Sequence, residues 1–479
     1  MKTCVDGNLD TICARTTPPG IGGVSVVRLS GLNSLSLIKK LQNNLPENLE
    51  SHRVYYGFLK DQNLEPIDEV LTSYFEAGRS FTGEDVVEIS CHGSPYIVEK
   101  ILKVLIFFGA RMAEPGEFTF RAFMNGRIDL LQAESIYALI HSQNKSAADL
   151  ALRNLKGVLS DEVHRIEDDV TWCLAHIESN IDFTSEGLDL LPRDLILNKL
   201  KNSNLVISKL IQSFTYGRIC NEGLNITIIG EPNVGKSTLF NLLLEEEKAI
   251  VTEIPGTTRD LLEYKIIYQG LLFNFLDTAG LRTETKDKIE KLGIEKTRKK
   301  IVESEFLILV LDVSKPDLTP EEVQLLQVLD PKKCLIIFNK SDIVKNSEYF
   351  NRTCSKISSE LSVKFNSNEI KQFISKNILQ ISAQNVDSRA IVLDKIHSFV
   401  FDLGRDNEGL AIFNSRQYEY LKRAEDLIFE SIELFKTNVG EEILAIPLKS
   451  ALLEIQKMHG TYYEDQILDR VFKEFCIGK

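Results

Sequence analysis

With 479 residues the chain is too long for one ordinary hydrophobic core, and its length points to about three domains. A hydrophobic content of 43% with 26% charged residues excludes a disordered or fibrous chain. The net charge of -13 argues against nucleic-acid binding over the whole surface, because neutralising phosphates takes clustered Lys and Arg; a local basic patch stays open.

The first residues, MKTCVDGNLD, carry no apolar leader, and the densest apolar run, FLILVL at 306–311, is far shorter than a membrane span, so a cytoplasmic protein is expected. The eight cysteines are scattered without a CxxC pair, which argues against disulfides and structural zinc alike. Residues 1–120 alternate β-rich runs (VSVVRLS, HRVYYGFL, DEVLTSYFEA, EDVVEIS) with helical stretches near 32–43 and 95–108, the pattern of a small α/β domain. From 121 the period becomes helical: Val163, Ile166, Val170, Leu174, Ile177 and Ile181 form one stripe of a long amphipathic helix, and helices dominate to about 217. Strand and helix alternate again over 218–400, through the strands FNFLDT, FLILVLD, KCLIIFN and ILQIS, as in a doubly wound sheet. After DLGRDNEGL the helical period returns over 401–479 through Leu421, Ala424, Leu427, Ile428, Ile432 and Phe435. The fold class is therefore α/β and all-α multidomain, with a P-loop domain inserted into a helical one. The run Lys286 to Lys300 is rich in Lys and Arg but also holds Asp287, Glu290 and Glu295, and reads as a solvated helix face.

Within 218–400, Gly230, Gly235, Lys236 and Ser237 satisfy GxxxxGKS between the strand LNITII and the apolar helix STLFNLLL. Glycines let the backbone curl until its N–H groups face phosphate oxygens. Lys236 then supplies a cation to the β and γ phosphates, and Ser237 offers a hydroxyl to Mg2+. Asn233, Val234 and Thr238 complete the loop. Asp277, Thr278, Ala279 and Gly280 form DTAG, with Asp277 placed to hold magnesium through its shell. Asn339, Lys340 and Asp342 form NKSD after LIIF, where a carboxylate accepts from the N1 and exocyclic amine of guanine; adenine lacks that donor pair, so GTP is the expected nucleotide. Ser382 and Ala383 in ISAQN would meet the base from the other side. Between the loop and DTAG lies a switch segment, Thr252, Glu253, Ile254, Pro255, Gly256, Thr257 and Thr258, in which Thr258 reaches magnesium while the γ-phosphate is present.

Ras-like GTPases orient the attacking water with a glutamine after the DxxG glycine; Leu281 stands there, so another group must act. Glu284, Asp287 and Glu290 are the residue-level candidates. Asn233 either ligates a monovalent cation that replaces an arginine finger or braces the loop by hydrogen bonding.

The segments TTPPGIGGVSVVRLSG, FTGEDVVEISCHGSP, EPGEFTFRAFMNGRIDLLQAESI, DTAGLR with IEKLGIEKT, and FCIGK together resemble the MnmE (TrmE) family of tRNA-modification GTPases over essentially the whole chain. The resemblance implies a tetrahydrofolate-binding and dimerisation domain (1–120), a helical domain (121–217 and 401–479) and an inserted Ras-like G domain (218–400). It further implies a homodimer that works with the FAD-dependent protein MnmG (GidA), in a heterotetrameric or larger complex, on C5 of the wobble uridine of certain tRNAs. Carbon would come from 5-formyl- or 5,10-methylene-tetrahydrofolate and nitrogen from glycine or ammonium. K+ ligands carry over to Asn233, Thr252, Ile254 and Thr257; the catalytic glutamate to Glu290; folate contacts to Arg28, Glu88, Arg127 and Lys479. Cys476 falls in FCIGK, near the implied folate pocket, where a part in the chemistry or mere packing both remain open. Departures are local: HGSP for HGGP, Arg127 for Lys, KMHG for ITG. The rival reading is an RNA- or ribosome-binding assembly-factor GTPase without one-carbon chemistry.

Overall fold

The computed structural model describes residues 10–183, 192–244, 263–276, 304–315, 317–343, 347–362, 366–405, 410–437 and 439–479. The chain forms two compact units, one of Met1–Ile140, Ala151–Ser208 and Glu419–Lys479, the other of His141–Leu150 and Lys209–Tyr418.

The first unit opens with a six-stranded sheet of order β3-β4-β5-β2-β1-β6, built from β1 (Ile12–Arg15), β2 (Gly22–Ser30), β3 (Arg53–Lys60), β4 (Pro66–Phe75), β5 (Val86–Gly93) and β6 (Arg111–Met112). All its pairings are antiparallel except β1 with β6. Alternation along β2 sends Val27 and Leu29 into a core with Ile38 and Leu41 of α1 (Ser34–Leu41) and Ile101 and Leu105 of α2 (Pro95–Phe107), so Arg28 faces the other side. Helices α3 (Glu117–Met124), α4 (Leu130–His141), α5 (Lys145–Leu155), α6 (Val158–Phe183) and α7 (Arg193–Glu222) follow. In α6 the stripe Val163, Ile166, Val170, Leu174 and Ile177 is buried, as its spacing requires.

In the second unit a six-stranded sheet runs β12-β11-β10-β7-β9-β8, from β7 (Leu224–Ile229), β8 (Glu263–Tyr268), β9 (Leu271–Leu276), β10 (Phe306–Asp312), β11 (Cys334–Asn339) and β12 (Ile378–Gln380). Only β8 is antiparallel to its neighbour. The sequence of β10 and β11 is continuously apolar because both are buried along their full length. Helices α8 (Lys236–Leu244), α9 (Pro320–Val328), α10 (Ser347–Leu361), α11 (Ser367–Asn377) and α12 (Asp387–Gly404) connect the strands. Three last helices, α13 (Ser415–Lys436), α14 (Glu441–His459) and α15 (Asp465–Lys473), lead back into the first unit, where α14 packs along α6 and α15 against α3. Among the described residues no helix is long and apolar enough to cross a membrane, and the cysteines are free thiols, buried except for Cys476.

Candidate functional site

The phosphate loop is set by two glycines whose replacement the backbone forbids. Gly230, at the end of β7, has φ +146°, and a Cβ there would lie 2.4 Å from the Val310 carbonyl oxygen. Gly235, before α8, has φ +96°, and a Cβ would come within 2.1 Å of Asn339 Nδ2. Between them Val234 is fully buried and Asn233 takes φ +64°, so the loop wraps over its own side chain. Lys236 Nζ donates to the carbonyls of Gly230 at 2.9 Å and Glu231 at 2.6 Å. Burial pushes its pKa below the ordinary lysine value, against the pull of Glu231. Ser237 follows it in the first turn of α8.

The NKSD loop and the 382–383 loop are tied to that loop, directly or through Asn339, by hydrogen bonds. Asn339 ends β11 buried; its Nδ2 donates to the Val234 carbonyl at 2.9 Å, and its Oδ1 accepts from the Ala383 amide at 2.8 Å. Lys340 Nζ donates to the Asn233 carbonyl at 2.8 Å and pairs with Asp312 at 2.6 Å. Asp312 is buried at the end of β10, yet the hydrogen bonds from Lys340 and Ser314 outweigh that burial and hold its carboxyl below the usual range. Asp342 and Ser382 line one open pocket of about 480 Å³ beside Asn385. Phosphate loop, NKSD loop and the 382–383 loop thus meet at the carboxyl ends of β7, β10, β11 and β12, where a doubly wound sheet places its ligand.

Sequence reasoning did not assign Asp312 or the bracing use of Asn339; the Asp closing an all-apolar strand was the one available signal. Thr252, Glu253, Ile254, Pro255, Gly256, Thr257, Thr258, Asp277, Thr278, Ala279, Gly280 and Glu290, with the alternatives Glu284 and Asp287, lie outside the described residues. So does the basic run at 286–300.

In the first unit, Arg28 and Glu88 are register partners on β2 and β5, and their ion pair is 2.7 Å long. The Arg28 guanidinium lies over the rings of Phe81 and Phe118, 5.6 Å from each centroid. An isolated bridge between Pro115 and Ile477 brings the final residues to this edge. Burial, and then the Arg28 cation, lower the Lys479 pKa, while Glu88 and Cys476 oppose them. Two cations therefore face one carboxylate in a partly buried setting, which suits an anionic ligand. Exposed Cys476 stands beside Lys479, whose amide donates to the Cys476 carbonyl at 3.3 Å. Arg127 is apart: it is exposed after α3, its stem lies by Gly83, and among the described residues its guanidinium forms no hydrogen bond or ion pair.

Comparison with known proteins gives two family matches, "GTP-binding protein TrmE N-terminus" at residues 11–127 and "MnmE helical domain" at 130–476. A "tRNA modification GTPase MnmE" of Bdellovibrio bacteriovorus is 46% identical over 99% of this chain and 98% of its own. One of Fervidobacterium nodosum with the same description is 38% identical over 98% of both chains. Among solved structures, the G domain of the T. maritima FeoB iron transporter aligns with 38% of this chain and 98% of its own, at 19% identity and a TM-score of 0.23.

Proposed function

The chain belongs to the MnmE family of tRNA modification GTPases, and on that footing we propose that it binds and hydrolyses GTP to drive modification of C5 of the wobble uridine in certain tRNAs. The observation that carries this reading is the Asn339 link, which fastens the phosphate loop to the loop at 382–383, beside a pocket that Asp342 lines. Loop amides and Lys236 take the phosphates, exchanging the carbonyls that now hold the ammonium for oxyanions. Asp342 and Ser382 read the base. Glu290 orients the attacking water, since Leu281 has no polar atom to do so. Ser237 and Thr258 would hold Mg2+, which would supply charge neutralisation at the β and γ phosphates. K+, held by Asn233, Thr252, Ile254 and Thr257, would supply the positive charge that an arginine finger gives elsewhere.

The further chemistry rests on the first unit. Arg28, Glu88 and Lys479, with Arg127 from the turn after α3, would hold a tetrahydrofolate whose role is to donate one carbon. Glu88 suits the amine edge of a pterin, and the two cations that face it suit the glutamate tail. The domains in this reading are 1–120 for folate and dimerisation, 121–217 with 401–479 as the helical domain, and 218–400 as the G domain. The working assembly is a homodimer with MnmG and its FAD in the cytoplasm.

Three measurements on the purified chain test the scheme. Calorimetry should show GTP bound in preference to ATP, and absence of that preference ends the reading. Hydrolysis should be faster in potassium than in sodium and slower in Glu290→Ala at nearly unchanged GTP affinity; equal rates in both salts would remove the K+ ligands. Mass spectrometry of tRNA from cells lacking the gene should show unmodified wobble uridines, and intact modification would leave the assembly-factor alternative.

A further inference from the structure

Near the α6 and α14 ends that meet in the first unit, two histidines and a glutamate converge. His164 and Glu167 are three residues apart on α6 and so share a face, and His459 is the last residue of α14. One donor atom from each lies within 4.8 Å of those from the other two. The imidazole rings of His164 and His459 stand 4.6 Å apart at 48°.

With His459 in the tautomer that carries its hydrogen on Nδ1, the lone pairs of all three groups converge. His164 Nδ1 is 2.8 Å from the Ser160 carbonyl, which only accepts, so Nδ1 carries the hydrogen and Nε2 of the neutral ring is a free donor to a cation. His459 is 2% exposed and its Nδ1 is 2.9 Å from the Thr461 hydroxyl oxygen, which accepts from Nδ1–H in the tautomer whose Nε2 is a metal ligand. Its Nε2 lies 2.8 Å from Glu167 Oε2 yet makes no properly aligned hydrogen bond. The other carboxylate oxygen of Glu167 accepts from Gln456 Nε2 at 3.0 Å, which fixes the group in place. A buried nitrogen, a carboxylate oxygen and a solvent-open imidazole, each steadied by an outer hydrogen bond, form the arrangement by which proteins orient metal ligands.

We infer that His164, Glu167 and His459 form a binding site for a divalent cation of the zinc class, which clamps α6 to α14 and keeps a fourth position open to solvent beside His164. Donors of a tetrahedral zinc site lie about 3.3 Å apart, from bonds of about 2.0–2.1 Å. The His459–Glu167 separation is 2.8 Å and no donor atom is more than 4.8 Å from another, so a small shift of exposed His164 and its neighbours reaches that value. Two imidazoles with one carboxylate suit zinc and disfavour magnesium or calcium.

The test is zinc chloride titrated into the nucleotide-free full-length protein by calorimetry, with cobalt(II) absorption as a second readout. One saturable zinc per chain is expected, magnesium should not displace it, and zinc should raise the melting temperature. Loss of an outer partner alone weakens metal sites about 10–100-fold, so His164→Gln and His459→Gln should each weaken zinc by roughly 100-fold or more and abolish the cobalt band. His164 is exposed, so His164→Gln leaves the fold intact and decides the matter even if His459→Gln is unstable. Wild-type affinity in either variant, or no saturable site in the parent, overturns the assignment.

Discussion

Replacing Asn339 by alanine tests the reading of the nucleotide site most directly, because that one side chain joins two loops that otherwise have separate anchors. It removes the bonds to the Val234 carbonyl and the Ala383 amide and leaves both groups without a partner in a buried place. A buried polar group left unsatisfied costs about 1–3 kcal/mol, so the pair costs about 2–6 kcal/mol. If the loops move to recover water, the cost appears as lost preorganisation, and at 1.4 kcal/mol per tenfold the lower bound is a weakening of GTP by about 30-fold. Gly235→Ala should act through the same atoms, since its Cβ would sit 2.1 Å from Asn339 Nδ2. In the Asn339→Ala background that collision is gone and only the left-handed backbone remains, at about 1–2 kcal/mol. Titration of a fluorescent guanine nucleotide into the two single variants and the double variant measures this. The combined loss should be well short of the sum of the single losses. Additive effects, or wild-type affinity in Asn339→Ala, would refute the bracing role.

Burial works against the Lys236 ammonium when no phosphate is present, so Lys236→Met should melt no lower than the parent without nucleotide while GTP binding collapses; a large loss of thermal stability would contradict this. Arg28→Ala should abolish binding of 5-formyltetrahydrofolate, read by fluorescence quenching, and leave GTP hydrolysis unchanged. The carboxyls of Asp10 and Glu117 are raised by burial but lowered further by hydrogen bonds, to Arg111 and Arg121 for Asp10 and to Arg111 and the Glu114 amide for Glu117, so both titrate below their unfolded values. Their stabilisation is therefore complete above about pH 4–5 and is lost as pH falls through the lower folded values. Urea midpoints of Asp10→Asn with Glu117→Gln should start lower at neutral pH and fall less steeply in acid than those of the parent.

What the sequence made legible was whatever is local. The run FLILVLD reads as a buried strand, and β10 occupies those residues; the stripe from Val163 to Ile177 reads as one helix face, and α6 buries it. Strands β1 and β6 were not legible, because four and two residues hold as strands only through partners elsewhere in the chain. Strand β8 was missed too: its burial alternates Tyr264 and Ile266 against Lys265 and Ile267, and its pairing is to one edge of β9. The same distinction holds at the sites. GKS and NKSD are contiguous and name themselves, whereas the Asp312–Lys340 pair and the His164–Glu167–His459 cluster are made by folding. Arg28 and Glu88 were named through resemblance, but their direct register across sixty residues belongs to the sheet.

The split of the first unit into segments on either side of the second governs the order in which a ribosome can deliver them. The Gln456–Glu167 bond joins positions 289 residues apart, an interval of roughly 15–60 s at ordinary elongation rates. Throughout it the apolar stripe of α6 waits for α14, while the second unit has nearly all its chain in hand. Nascent chains stalled soon after Tyr418 should thus hold a protease-resistant second unit, while the helices of the first unit stay open to chaperones.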